Sequence, residues 1–400
     1  MSKYFKSANI LLPQNTSMES WAVIACDQFT SDKEYWKRVR NHAGNNYSTL
    51  HMILPEAELA AATDETIANI NAHMKRYLDE NVFVQYDDAY VYIERTLVDG
   101  SVRQGLIGVV DLEHYHYEPS RYPKICATEM TVLERIPPRV AVRKDALLEF
   151  SHVLMLCEDP AFDLIEKLAQ MKPDFPKLYD FDLMEGGGHI AAWLVQGDAA
   201  RAFDTALNRY EENNTYLVGD GNHSLVTALT IYEQLKKELP AEEAKVHPAR
   251  YAMVELENVH SDALVFEPIH RVITETDTAK LLNDLVSICS DDGVDVTWFV
   301  GNEQGVLKVN TPAGELTVGI LQDFLDQWLR ENAGEIDYIH GDDAVKTLAQ
   351  ADNAIGFLLP TMDKSELFPF VQGGRTLPRK TFSMGHGCEK RYYLEGRRIK

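Results

Sequence analysis

Apolar and polar positions along this chain switch repeatedly between a period of two and a period near 3.6. The β-rich runs Ala89–Leu97 (AYVYIERTL) and Gln104–Leu112 (QGLIGVVDL) predict two strands, and Asp99-Gly100 between them predicts a hairpin turn. Trp21–Cys26 predicts an early buried strand closing on Asp27. The runs Lys177–Met184 and His189–Val195 flank Gly186-Gly187-Gly188 and predict a second hairpin. Helical periodicity fills the intervals: a charged helix capped by Ser31-Asp32, a longer one from Pro55-Glu56 to about Tyr77, then Ala161–Met171 and Asp198–Glu211. The most strongly marked helix has Leu225, Ala228, Leu229, Tyr232, Leu235 and Leu239 on one face, Ser224 as expected N-cap, and Pro240 as its stop.

After Pro240 the segment 241–249 reads as a polar loop or linker. Beyond it, strands are expected at Tyr251–Leu256, Ala263–Phe266, Val294–Val300, Gly305–Val309 and Ala354–Leu359. Helices are expected at Thr278–Ser290 and Thr317–Glu331, with a short one from Asp342. This alternation is α/β to α+β in texture, without internal repeats. It predicts two parts, 1–245 and 246–400.

The densest chemistry lies at Thr215–Ala228 (TYLVGDGNHSLVTA), where an apolar run ends at Gly219 and Asp220, Gly221, Asn222 and His223 precede the best-marked helix. A strand end followed by a helix N-terminus sets polar side chains beside free N–H groups, which suits an anion. The same residues also suit a plain tight turn with Asn222 as cap. A second stretch, Ala127–Arg143 (ATEMTVLERIPPRVAVR), repeats Arg135, Arg139 and Arg143 every fourth position. Pro137-Pro138 is expected to prevent one continuous helix there. Guanidinium forks suit phosphate or carboxylate, so these arginines read as an anion clamp beside Glu129, or else as a surface segment of acids and arginines paired with one another. The polar cluster Glu267–Arg271 adds His270 and Arg271 as further candidates.

The 400 residues carry a formal net charge of −23 with 45% hydrophobic and 25% charged residues, which fits a folded protein and argues against a duplex nucleic-acid footprint. A small anion remains compatible where basic residues gather locally. No stretch of about 18 apolar residues and no cleavable leader pattern occurs, so a cytoplasmic protein without membrane association is expected. Five scattered cysteines with no C-x-x-C pair predict free thiols. His114 and His116 lack the further ligands a metal site needs. From Arg375 to Lys400 the chain is basic, which reads as a solvated tail, although Phe382, Tyr392 and Tyr393 suggest order.

These stretches, together with LHMILPE at Leu50–Glu56 and EPIHRVI at Glu267–Ile273, resemble the family called domain of unknown function 1015 over nearly the full length. Most of that family reads Asp-Gly-His-His-Arg at the turn and His-Glu-Arg-Thr in the earlier block. Here Asn222, Ser224 and Thr128 replace the first His, the Arg and the block's His, so the chain resembles a divergent branch. The motif pair is in turn similar to that of free serine kinases, whose fold is shared with ParB and sulfiredoxin. That resemblance implies a ParB/sulfiredoxin-like core in the N-terminal part, with an α+β part following it. It implies Glu129 as the base for a substrate hydroxyl, and Asp220 and His223 at the phosphate. Gly221, Asn222 and Ser224 would cradle phosphate oxygens, and Asp220 would hold Mg²⁺ accompanying a nucleotide. The activity so implied is phosphoryl transfer involving a small hydroxy amino acid such as serine. A phosphatase of a small phospho-amino acid and a non-catalytic anion or nucleotide sensor are the alternatives. No G-x-x-x-x-G-K-[ST] loop and no H-R-D or D-F-G set is present, so any nucleotide is held in another way.

Overall fold

The computed structural model describes residues 3–30, 32–59, 61–118 and 124–400, with Asp27 described in its backbone alone. The chain is mixed α/β and forms two compact units, residues 1–264 with 386–400, and Val265–Gly385.

The hairpin expected on either side of Asp99-Gly100 is present as Phe83–Thr96 and Val102–Asp111, paired antiparallel. It is central to the 13-stranded sheet of the first unit. Tyr251–Asn258 lies beside Val102–Asp111, followed by Leu154–Cys157, Tyr216–Asp220 and Ile125–Ala127. Successive side chains of a strand point to opposite faces, and here both faces are covered. Val91, Ile93 and Ile107 join one apolar cluster, whereas Tyr90, Tyr92 and Leu106 join the other. That double covering explains why these strands read as nearly unbroken apolar runs. The glycine-rich turn also forms its hairpin, Lys177–Asp182 with His189–Val195.

Several expectations are corrected. Trp21–Cys26 is not a strand: Met18–Trp21 is a short helix, and the following segment makes a single bridge, Val23 to Tyr393. The run is apolar because it is enclosed, with Trp21 fully buried and its Nε1 donating to the Leu394 carbonyl at 2.8 Å. Asp32 does cap the helix Lys33–Ala43, while Ser31 lies outside the described residues. The long helix expected up to Tyr77 is divided into Glu56–Leu59 and Asp64–Asp79, because Thr63 caps the second piece reciprocally with Thr66. The stretch Ala127–Arg143 is, as expected, not one continuous helix, but Pro137 and Pro138 open the helix Ile136–Lys144 that follows the 3-10 turn Leu133–Arg135. Proline in a first turn forfeits only N–H groups that would be unsatisfied anyway.

The boundary also moves. Residues Ala241–Val246 form a short helix, and Tyr251–Asn258 belongs to the first unit's sheet, so that unit continues to Leu264. Nor is the basic closing segment a solvated tail. Residues 386–400 return to the first unit, where Lys390, Arg391 and Arg397 are buried. Arg391 meets Glu255 and Glu395 at 2.8 Å each, and Arg397 meets Glu149 at 2.5 Å.

The second unit has a six-stranded sheet running Glu303–Val309, Cys289–Val300, Ile355–Leu358, Phe266–Thr274 and Glu335–His340, with Phe382–Met384 also paired to Phe266–Thr274. The helix Thr317–Glu331 buries Val318, Leu321, Leu325 and Trp328 against Ile273, Val296 and Phe357, as its 3.6-residue period requires. Among the described residues no helix is long and apolar enough to cross a membrane.

Candidate functional site

Two short strands establish the site. Ile125–Ala127 and Tyr216–Asp220 are parallel neighbours in register Val218 to Ala127; the first strand ends there, and the second runs on two residues to Asp220, paired with Leu154. Buried Thr128 locks that exit by donating its Oγ1 proton to the Val218 carbonyl at 2.7 Å. Glu129 follows on one strand and Asp220 ends the other, both half-buried. On its far side, Tyr216–Asp220 pairs antiparallel with Leu154–Cys157, and the register shifts between Val218 and Asp220. Such an irregularity bends a strand end and re-aims its side chains.

Gly221 then turns the chain with φ +88° and ψ 23°, left-handed values that glycine adopts without a Cβ penalty. A Cβ there would stand 2.8 Å from Val153 Cγ2 and 3.1 Å from its Cα. The 17-residue helix Asn222–Glu238 therefore starts at Asn222, and Ser224 sits in its first turn in place of the expected N-cap position. The first N–H groups of this helix have no partner within it.

Side chains from distant segments complete the cluster. His223 Nε2 accepts from the Val132 N–H at 3.2 Å, which ties the loop after Glu129 to the helix and leaves the proton of the neutral ring on Nδ1. Ser224 Oγ lies 3.4 Å from His152 Nε2, whose Nδ1 is 2.7 Å from the hydroxyl of Tyr393. Burial raises the Tyr393 pKa, so the phenol keeps its proton at neutral pH. The Oδ1 of Asn222 and Oγ1 of Thr131 are buried and have no hydrogen-bond partner among the described residues. Asp220 Oδ2 meets Lys390 Nζ at 2.9 Å, with side-chain exposures of 32% and 9%. Nothing in the local sequence pattern pointed to His152, Tyr393 or Lys390; the basic, aromatic-rich character of residues 375–400 was the one available signal.

The three arginines diverge. Arg139 pairs with Glu56 and donates to the Arg135 carbonyl at 2.7 Å. Arg143 pairs with Glu149, which also holds Arg397. Burial works to raise the Glu149 pKa, but the two guanidiniums prevail and hold it at about 2. Arg135 is exposed and has no side-chain partner among the described residues. His270 and Arg271 lie in the second unit and are engaged there. Arg271, fully buried, donates to Gln322 Oε1 at 2.7 Å and to the Ile269, Lys380 and Arg379 carbonyls. His270 Nε2 is 3.0 Å from Asp342, and burial lowers its pKa.

Among the described residues, no three His, Cys, Asp or Glu side chains gather as a metal site. Carboxylate oxygen at a strand end is nonetheless the donor chemistry of Mg²⁺, which commonly takes one or two carboxylates and fills its shell with phosphate and water.

A search of curated proteins found no relative by sequence. Among solved structures, the chain is similar to a free serine kinase in complex with AMP, with 11% identity over 72% of this chain and 90% of that one, and a TM-score of 0.40. A conserved hypothetical protein from Pyrococcus furiosus matches at 12% identity over 73% and 94%, TM-score 0.36. SbnI from Staphylococcus aureus matches at 9% identity over 70% and 82%, TM-score 0.38. The decisive match is to a family model, described as a protein of unknown function (DUF1015), which spans residues 9–367, and the chain belongs to that family.

Proposed function

We propose that the first unit transfers a phosphoryl group, with a small hydroxy amino acid such as serine as acceptor. The observation that supports this reading is the parallel register of Ile125–Ala127 and Tyr216–Asp220, by which the segment leading to Glu129 starts beside the strand that runs on to Asp220 and a helix N-terminus. Such transfer asks the protein mainly to position reactants and stabilise spreading charge. The substrate hydroxyl attacks phosphorus in line, its proton passes to Glu129, and the bond from phosphorus to the leaving oxygen of a nucleotide phosphate breaks. The N–H groups after Gly221, the Ser224 hydroxyl and His223 hold the phosphate oxygens. Asp220, through the carboxylate oxygen that does not face Lys390, would hold Mg²⁺, whose part would be to neutralise charge on those oxygens. Of the arginines, Arg135 retains a side chain available to an arriving anion; Arg139 and Arg143 would first have to leave Glu56 and Glu149. The ParB/sulfiredoxin ancestry of the first unit is part of the same proposal.

Incubation with serine and ATP, ADP or CTP, followed by measurement of phosphoserine and nucleotide product, tests the reading. Phosphate released from phosphoserine without nucleotide would identify a phosphatase instead. Nucleotide binding without turnover of either substrate would identify a sensor.

A further inference from the structure

Among the described residues, Lys390 is a buried cation in direct contact with Asp220, and the structure holds it there at some expense. The residue is 7% exposed, and its ammonium faces Asp220. An ammonium has three donors, and Asp220 is its only side-chain partner among the described residues. Its main chain is clamped from below. Arg95 donates to the Lys390 carbonyl at 2.8 Å, to the Glu389 carbonyl at 2.9 Å and to that of Cys388. Arg103 donates to the Glu389 carbonyl at 2.9 Å. Both arginines are 3% exposed. Burying guanidinium groups is costly unless they are well partnered; Arg103 also meets Glu257 at 2.9 Å and Arg95 donates to the Gly187 carbonyl at 2.9 Å, so two anchored guanidiniums hold this short segment of backbone.

We propose that Lys390 is a phosphate-binding residue of the site, delivering its remaining N–H donors to the oxygens of the phosphoryl group lying over the N-terminus of Asn222–Glu238. Before the ligand arrives, Asp220 holds the ammonium in place and compensates its charge. When phosphate binds, Lys390 bridges Asp220 and a phosphate oxygen, so the charge of the incoming anion is met by a cation already desolvated and oriented. This meets the local need of a protein whose net charge is −23. The inference rests on the phosphate reading of the same site.

Calorimetric titration of the full chain with ADP, inorganic phosphate and adenosine tests it. K390M, which keeps an unbranched side chain of similar length without the charge, should bind ADP and phosphate at least about tenfold more weakly, because a charge-assisted contact is lost. K390R should retain most of the affinity, and adenosine should be bound alike by all three proteins. ADP binding by K390M equal to that of the parent overturns the assignment while leaving the phosphate reading standing. A parent protein that binds neither ADP nor phosphate overturns both. If K390M does not fold, the parent protein with ¹³C-labelled lysine decides the matter: the Lys390 Cε resonance, identified by its absence from K390R, should shift on addition of phosphate, and its failure to move refutes the role.

Discussion

Replacing Gly221 by alanine isolates the turn on which the site depends, and two separable costs follow from its geometry. The residue holds φ +88°, where an L side chain meets its own backbone at about 1–2 kcal/mol. The new Cβ also arrives 2.8 Å from Val153 Cγ2 and 3.1 Å from Val153 Cα. Val153 is 3% exposed, stiff at χ1, and immediately precedes a paired strand, so it has little room to retreat. Overpacking of this kind costs about 1–3 kcal/mol, while the less flexible unfolded chain returns about 0.4–1. The net expectation is a loss of about 2–4 kcal/mol. Gly100 supplies the control, since it has φ +86° and no atom within 4 Å of the added Cβ. G100A should therefore show the backbone cost alone, about 1 kcal/mol. Urea unfolding of both variants separates the terms, and V153A in the G221A background should recover part of the packing cost but not the strain. If G221A is no less stable than G100A, the close approach of Gly221 to Val153 is not a real constraint on the turn.

Three further outcomes are expected. D220N should reduce phosphoryl transfer by at least about 10²-fold, and by leaving the Lys390 charge without its carboxylate should cost about 1–2 kcal/mol, between the values for exposed and fully buried pairs; assays and thermal melts check both parts, and full activity refutes the role of Asp220. Glu149 is held at about 2, below its ordinary 4.5, so its contribution is complete above pH 4.5 and disappears as pH falls towards 2. That difference corresponds to about 3 kcal/mol, and E149Q should be destabilised by a similar amount near neutrality with a flatter acid-unfolding profile. Finally, the 2.7 Å contact suits a phenol donating to His152 Nδ1, which turns His152 Nε2–H towards Ser224 and frees the serine proton for a ligand. H152F should raise KM for the phosphate donor more than it lowers kcat, and should add little in an S224A background; additive effects would show that the two residues act separately.

What the sequence determined by itself is local. The hairpin around Asp99-Gly100, the helix after Gly221 and the helix Thr317–Glu331 were legible because side-chain periodicity and turn residues act within a few positions of one another. The central turn was legible for the same reason, down to the strand ending at Asp220. Even locally, competing readings were decided by three-dimensional surroundings: Pro137-Pro138 opened a helix, and Thr63 interrupted one. Charge was legible in amount but not in use, since three of the basic residues after Arg375, namely Lys390, Arg391 and Arg397, became buried partners of Asp220, Glu255 and Glu149. The strand Tyr251–Asn258 looked like the start of a second part, yet its hydrogen bonds go to Val102–Asp111. His152, Tyr393 and Lys390 entered the site only through tertiary structure. Sheet order and the return of residues 386–400 are set by burial and backbone pairing summed over the whole first unit, and no short window of sequence contains both members of such a contact.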